Sequence, residues 1–170
     1  MSSKPFKIAL AHVLALEGGY VNDSNDRGGA TKYGISQKAF PDLDIENLTR
    51  DQAESIYREK YWDLIRCDRL SGAYAVALFD AAVNHGQFKA VVLMQQALRV
   101  KADGINGPIT QSAARRQGGT GLIRFLAIRA RFYADITLAD SSQARFLNGW
   151  FRRLFSLQQT IHSHEGDLRD

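Results

Sequence analysis

Between Leu70 and Asn84 the chain runs through an alanine-rich apolar segment whose one charge is Asp80, and the segment stops at Gly86. That periodicity predicts a buried central helix, so the rest of the chain is read as what packs around it. Phe6, Leu10, Val13 and Glu17 recur at helical spacing, which predicts a first helix from near Pro5 with Glu17 on its apolar face. Gly18-Gly19 ends it, because glycine tolerates the left-handed conformation that closes a helix. From Gly18 to Gly34 the chain is a glycine- and Asn/Asp-rich excursion with room for a short hairpin at most. Loops of this length inside compact domains are usually functional.

Beyond the excursion the signals are helical. Ser36 is a candidate cap, Pro41 a break, and Thr49-x-x-Gln52 a capping box for a helix running to about Lys60. Val91 to Leu98 predicts another helix, and Ala102 to Pro108 a turn with Pro108 opening the next one. Gly118-Gly119-Thr120-Gly121 reads as a second interruption, followed by helical patterns over 122–138 and 142–158. From His162 onward the tail is polar and expected to fray. The expected architecture is a single all-α domain with a small β lobe at 20–35, divided into residues 1–90, 91–158 and a polar tail at 159–170.

Composition removes several classes. A lone cysteine, Cys67, excludes an internal disulfide and a multi-cysteine zinc site, and is expected as a buried thiol. No uninterrupted apolar run approaches the roughly 20 residues of a membrane span, so a soluble chain without an integral membrane segment is expected. Lys4 and Lys7 before Ile8 to Leu16 imitate a signal peptide. His12 interrupts that run, however, and no small-x-small cleavage site follows it, so the segment is read as the first helix. The net charge is +4, and residues 101–153 carry nine basic side chains against Asp103, Asp135 and Asp140. A basic surface suits nucleic acid, an anionic membrane face or an anionic wall polymer. Neither an RNA-binding sheet nor a zinc knuckle is legible, so no nucleic-acid partner is expected.

One constellation points to chemistry. Cleaving a glycosidic bond needs a carboxylic acid that keeps its proton near neutral pH, and a second group that holds water or stabilises positive charge opposite it. Glu17, at a helix C-terminus on an apolar face, would lose hydration and meet the negative end of the helix dipole, both of which favour the protonated acid. Asp26, in a glycine-rich loop, can stay charged through accessible backbone N–H groups, and Thr31 could fix a water beside it. If Asp26 holds that water, the two carboxyls should lie roughly 6.5–9.5 Å apart and the reaction should invert. Spacing alone leaves the alternative that Glu17 caps or pairs locally and that Asp26 is an ordinary turn aspartate.

Glu17-Gly18-Gly19-Tyr20-Val21-Asn22-Asp23, followed by Asp26-x-Gly28-Gly29-x-Thr31-x-x-Gly34-Ile35, resembles the signature of glycoside hydrolase family 108, N-acetylmuramidases of bacteria and phages with a lysozyme-like all-α fold. Phe79-Asp80-x-Ala82-Val83-Asn84-His85-Gly86 is similar to that family's central helix. Gln95-x-Ala97-Leu98 with Asp103-Gly104-Ile105-x-Gly107-Pro108-x-Thr110 is similar to its peptidoglycan-binding segment, and Phe146-x-x-Gly149-Trp150-x-x-Arg153 to its last helix motif. The resemblance implies a lysozyme-class glycoside hydrolase of the endolysin type, cleaving the bond between N-acetylmuramic acid and N-acetylglucosamine with Glu17 as acid and no cofactor. It makes residues 1–90 the catalytic half and 91–158 a helical peptidoglycan-binding half. The Glu17, Asp26 and Thr31 spacing is also similar to the Glu/Asp/Thr triad of phage lysozymes, with one residue fewer before the threonine.

Other residues have two readings each. Tyr20 and Tyr33 could stack on sugars or pin the loop, while Asn84 and His85 could line a cleft or serve as a helix cap and a packed histidine. Asp80, one turn before Asn84, is expected to orient it or a backbone group. Trp150 is expected in the core, and His162-Ser163-His164-Glu165 as part of the frayed tail with no metal bound. Arg115, Arg116, Arg124, Arg129, Arg131, Arg145, Arg152 and Arg153 are expected as a solvated basic face that would attract an anionic wall. The protein is expected to be a monomer made in the cytoplasm that acts in the periplasm or at the wall, reaching it without a cleaved signal peptide. A rival is a non-catalytic wall-binding or secretion-assisting protein with the same fold, which would be expected to lose the acid.

Overall fold

A computed structural model describes residues 3–17 and 30–168. Helix α1 (Lys4–Glu17) leads to a two-stranded hairpin, β1 (Thr31–Lys32) and β2 (Ile35–Ser36). Helix α2 (Arg50–Tyr57) continues into a π-helical turn (Arg58–Asp63), and a 3-10 turn (Cys67–Arg69) precedes α3 (Gly72–His85) and α4 (Gln87–Leu98). The long α5 (Pro108–Ala139), a 3-10 segment (Ser141–Phe146), α6 (Leu147–Ser163) and the short α7 (Glu165–Leu168) complete the chain. The fold is all-α with one small hairpin, as the sequence predicts.

Helix α3 is the centre. Its alanines let neighbouring helices approach closely, and α1, α4, α5 and α6 all pack against it. Val76, Ala77, Leu78 and Phe79 are all fully buried. Phe6, Leu10 and Val13 bury the predicted face of α1, and Phe6 sets its ring edge-on to Trp62 at 5.2 Å and Phe79 at 5.9 Å. Thr49 and Gln52 form the predicted capping box: the Gln52 N–H donates to Thr49 Oγ1, and the Thr49 N–H to Gln52 Oε1. Cys67 is buried, and burial pushes its thiol pKa well up.

One expectation holds and two are corrected. The glycine cluster interrupts the helix as predicted: α5 is two helical stretches joined across a kink at Gly118 (φ 48°, ψ −138°), a left-handed backbone that glycine accepts and other residues resist. The Tyr74 hydroxyl donates to the Gly118 carbonyl at 3.0 Å, which satisfies a group the kink frees. The last long helix starts later than predicted, at Leu147, because Asp140 caps a 3-10 turn first by accepting from the Ser142 N–H. The tail is also helical as far as Leu168. α6 extends to Ser163, and Leu168 on α7 is 5% exposed, packed so closely on Gly72 that a Cβ there would meet Leu168 backbone atoms at 2.8 Å.

Candidate active site

Glu17 is the last residue of α1, one helical turn beyond the buried Val13. Tyr20 and Asp26 lie outside the described residues. The chain re-enters at the hairpin, where Thr31 pairs with Ser36 and Lys32 with Ile35. Tyr33 and Gly34 make its two-residue turn, both with positive φ (55° and 75°), the combination that matches the twist of a tight hairpin. Tyrosine is a strained choice there, and the Tyr57 hydroxyl steadies the turn by donating to the Tyr33 carbonyl at 2.8 Å.

Asn84 and His85 are brought together at the C-terminal end of α3. Asn84 Oδ1 accepts from the Tyr133 hydroxyl at 2.7 Å. The His85 ring stands edge-on to Phe132 at 5.2 Å and tilted against Tyr133 at 5.2 Å, while Tyr133 stacks on Trp150 at 5.1 Å. Burial and then the nearby Arg129 pull the His85 pKa down to about 3, so the ring is neutral; its Nε2 is buried without a hydrogen-bond partner among the described residues. Thr31 and Tyr33 thus share the hairpin, and Asn84 and His85 share the α3 terminus.

Beneath that terminus is a buried charge cluster that sequence reasoning missed. Asp80 does not orient Asn84, a task that falls to Tyr133. Its Oδ2 accepts from Arg129 Nη2 at 2.7 Å, its Oδ1 accepts from Arg153 Nε at 2.7 Å, and His12 Nε2 lies 3.5 Å from Oδ1. Burial alone would raise the Asp80 pKa. Arg129, the neighbouring His12 ring and Arg153 outweigh it and hold the carboxyl well below the usual range. Arg129 is fully buried and the Arg153 side chain is 11% exposed, so both leave the solvated basic face to which the sequence assigned them. The cluster ties α1, α3, α5 and α6 together one turn before the Asn84–His85 end of α3.

The motif that resembles a peptidoglycan-binding segment is also a piece of architecture. Gln95, 1% exposed, donates from Nε2 toward Asp103 Oδ1, the Ile105 carbonyl and Thr110 Oγ1, and accepts from the Gly104 N–H at 2.8 Å. One amide thereby folds the 103–110 turn and leaves Ile105 and Ile109 exposed on its outside.

Residues 10–86 match the glycosyl hydrolase 108 family and residues 89–155 match the predicted peptidoglycan domain. Together with the all-α frame, these matches define a glycoside hydrolase directed at peptidoglycan. The first part of the chain is thus similar to the glycosyl hydrolase 108 family. It is also similar to the solved structure of Brucella abortus SagA, at 29% identity over 92% of this chain and 94% of that one, with a TM-score of 0.76. No curated protein matches it significantly.

Proposed function

We propose that the protein is an N-acetylmuramidase that hydrolyses the bond between N-acetylmuramic acid and N-acetylglucosamine, with Glu17 as general acid. The observation that carries this reading is the place of Glu17 on α1, inside the segment matched by the hydrolase family. A helix C-terminus presents the negative end of its dipole, an environment suited to an acid that must hold its proton until the leaving oxygen needs it. In this reading Asp26 is ionised at the start and holds the attacking water with Thr31, so that water adds to the anomeric carbon and gives a proton to Asp26 as the Glu17 proton passes to the departing oxygen. Tyr20, Tyr33, Asn84 and His85 border the bound glycan. Residues 1–90 supply the chemistry and 91–158 the hold on the wall, in a monomer acting in the periplasm or at the wall.

The test is Glu17→Gln. The amide keeps the volume and cannot donate the proton, so lysis of outer-membrane-stripped cells should fall by about 10²–10⁴-fold with the fold intact by circular dichroism. Fragments released by the unaltered protein should end in reducing N-acetylmuramic acid by mass spectrometry. Anhydro-muramyl ends would replace hydrolysis with a transglycosylase, and a folded Glu17→Gln protein with near-normal turnover would remove Glu17 as the acid.

A further inference from the structure

An open groove of about 730 Å³ lies against the π-helical turn, between the segment after the hairpin and the start of α4. Its volume falls in the range of roughly 300–1,000 Å³ common to ligand sites. Two chains of contact join it to the candidate active site. On one side Tyr61 lines the groove and packs on Tyr57 at 5.6 Å between ring centres, and Tyr57 holds the turn carbonyl of Tyr33. On the other, Gln87 lines it two residues after His85, and its Nε2 donates to the Lys60 carbonyl at 3.0 Å. The π-helical turn is what carries Lys60 and Tyr61 to the wall of the groove, and such turns occur disproportionately at functional sites.

The lining tells which part of a wall polymer fits. Phe40, Leu43, Ile56 and Leu64 make the walls mainly apolar, and Leu64 remains 64% exposed. Lys60 and Asp42 add one charge of each sign, and among the described residues neither is held in an ion pair. A glycan ring, with hydroxyls around its rim, asks for several donors and acceptors at once. A short peptide with small apolar side chains, a free carboxylate and a free amine asks for this combination of apolar wall, cation and anion.

We propose that this groove binds the peptide stem attached to the muramic acid residue, with Lys60 pairing a stem carboxylate, Asp42 facing a free stem amine, and Leu64 and its apolar neighbours covering the stem's methyl groups. The site makes stem-bearing strands the preferred substrate. This rests on the muramidase reading for its consequence in catalysis, while peptide binding itself does not depend on turnover.

The experiment has two arms. In the first, stem peptide released from purified wall by an amidase is titrated into the protein and followed by amide NMR. The signals of Lys60, Tyr61 and Leu64 should move, and Lys60→Glu or Leu64→Asp, both substitutions of exposed side chains, should weaken binding by about tenfold, the worth of one charge-assisted contact. In the second, kcat/KM is compared on intact wall and on glycan stripped of stems, and the preference for intact wall should shrink about tenfold in Lys60→Glu. No shift with peptide, shifts confined to other surfaces, or an unchanged preference in both variants overturns the proposal. If the unaltered protein cleaves neither polymer but binds the peptide through the groove, the muramidase reading fails and the groove stands.

Discussion

Arg129 Nη2 donates to Asp80 Oδ2 at 2.7 Å with both side chains at 1% exposure or less, and this pair joins α5 to the middle of α3. Arg153 brings α6 to the same carboxylate, so one aspartate faces two guanidinium groups in the interior. Its geometry makes the pair costly to break, because removing either partner leaves charge buried without compensation.

Arg129→Met should therefore lower unfolding free energy by about 3–5 kcal/mol, and Asp80→Asn by a similar amount, since it leaves the two guanidiniums facing each other with no anion. Lys4→Ala provides the contrast: its 2.5 Å contact with Asp167 is largely exposed and should leave the urea midpoint unchanged. Urea unfolding of the three variants checks the order. Equal midpoints for Arg129→Met and Lys4→Ala would show that the buried pair contributes nothing distinctive.

His85 gives the protein a pH dependence of known sign. Its folded pKa of about 3 lies below the 6.5 of a free histidine, so the unfolded chain takes up the proton first as pH falls. The stability it contributes is complete above about pH 6.5 and is lost progressively as pH falls toward 3. One proton corresponds to a slope of about 1.4 kcal/mol per pH unit between roughly pH 6 and 4. Asp80, with its pKa held low, contributes stability that begins to be lost as pH falls through the ordinary carboxylate value of 3.8, so above about pH 5 the slope belongs to His85. His85→Gln should flatten the upper window, measured as thermal midpoints from pH 7 to 4. An unchanged slope would mean that His85 is readily protonated in the folded state.

Local signals in the sequence located what local chemistry decides. Thr49 and Gln52 announce α2 because a capping box is complete within four residues, and Gly86 announces the end of α3 because its φ of 81° suits glycine. The charge cluster was illegible for the opposite reason. Arg129 and Arg153 look like any solvated arginines, and only the packing of α5 and α6 on α3 brings them to Asp80, 49 and 73 residues away. Gly118 to Gly121 carried a true break signal, realised as the kink at Gly118, while Gly121 serves close packing: a Cβ there would meet Tyr74 Oη at 2.3 Å. Leu168 was one apolar residue in a polar tail, and nothing nearby in sequence reveals the Gly72 surface that receives it. Of the candidate site, the helix that carries Glu17 and a short hairpin were legible, whereas the groove beside Lys60 depends on a π-helical turn that no periodicity announces.

Gln95 makes the last prediction, because it separates architecture from recognition in the segment that matches the peptidoglycan domain. Its side chain is buried and saturated with partners, so it has no group to offer a ligand; its task is to hold the 103–110 turn. Gln95→Leu keeps the volume approximately and leaves the Gly104 N–H without its partner, at a cost of about 1–3 kcal/mol. The Gly104 amide, now donating to Gln95 Oε1 at 2.8 Å, should then exchange with solvent at least tenfold faster, since about 1.4 kcal/mol of lost local stability is a factor of ten. Amides at the centre of α3 should slow or quicken only with global stability. Hydrogen exchange read by NMR makes the comparison: if Gly104 stays protected in Gln95→Leu, the turn is held by something other than Gln95, and the motif's glutamine has to be sought a role at the surface.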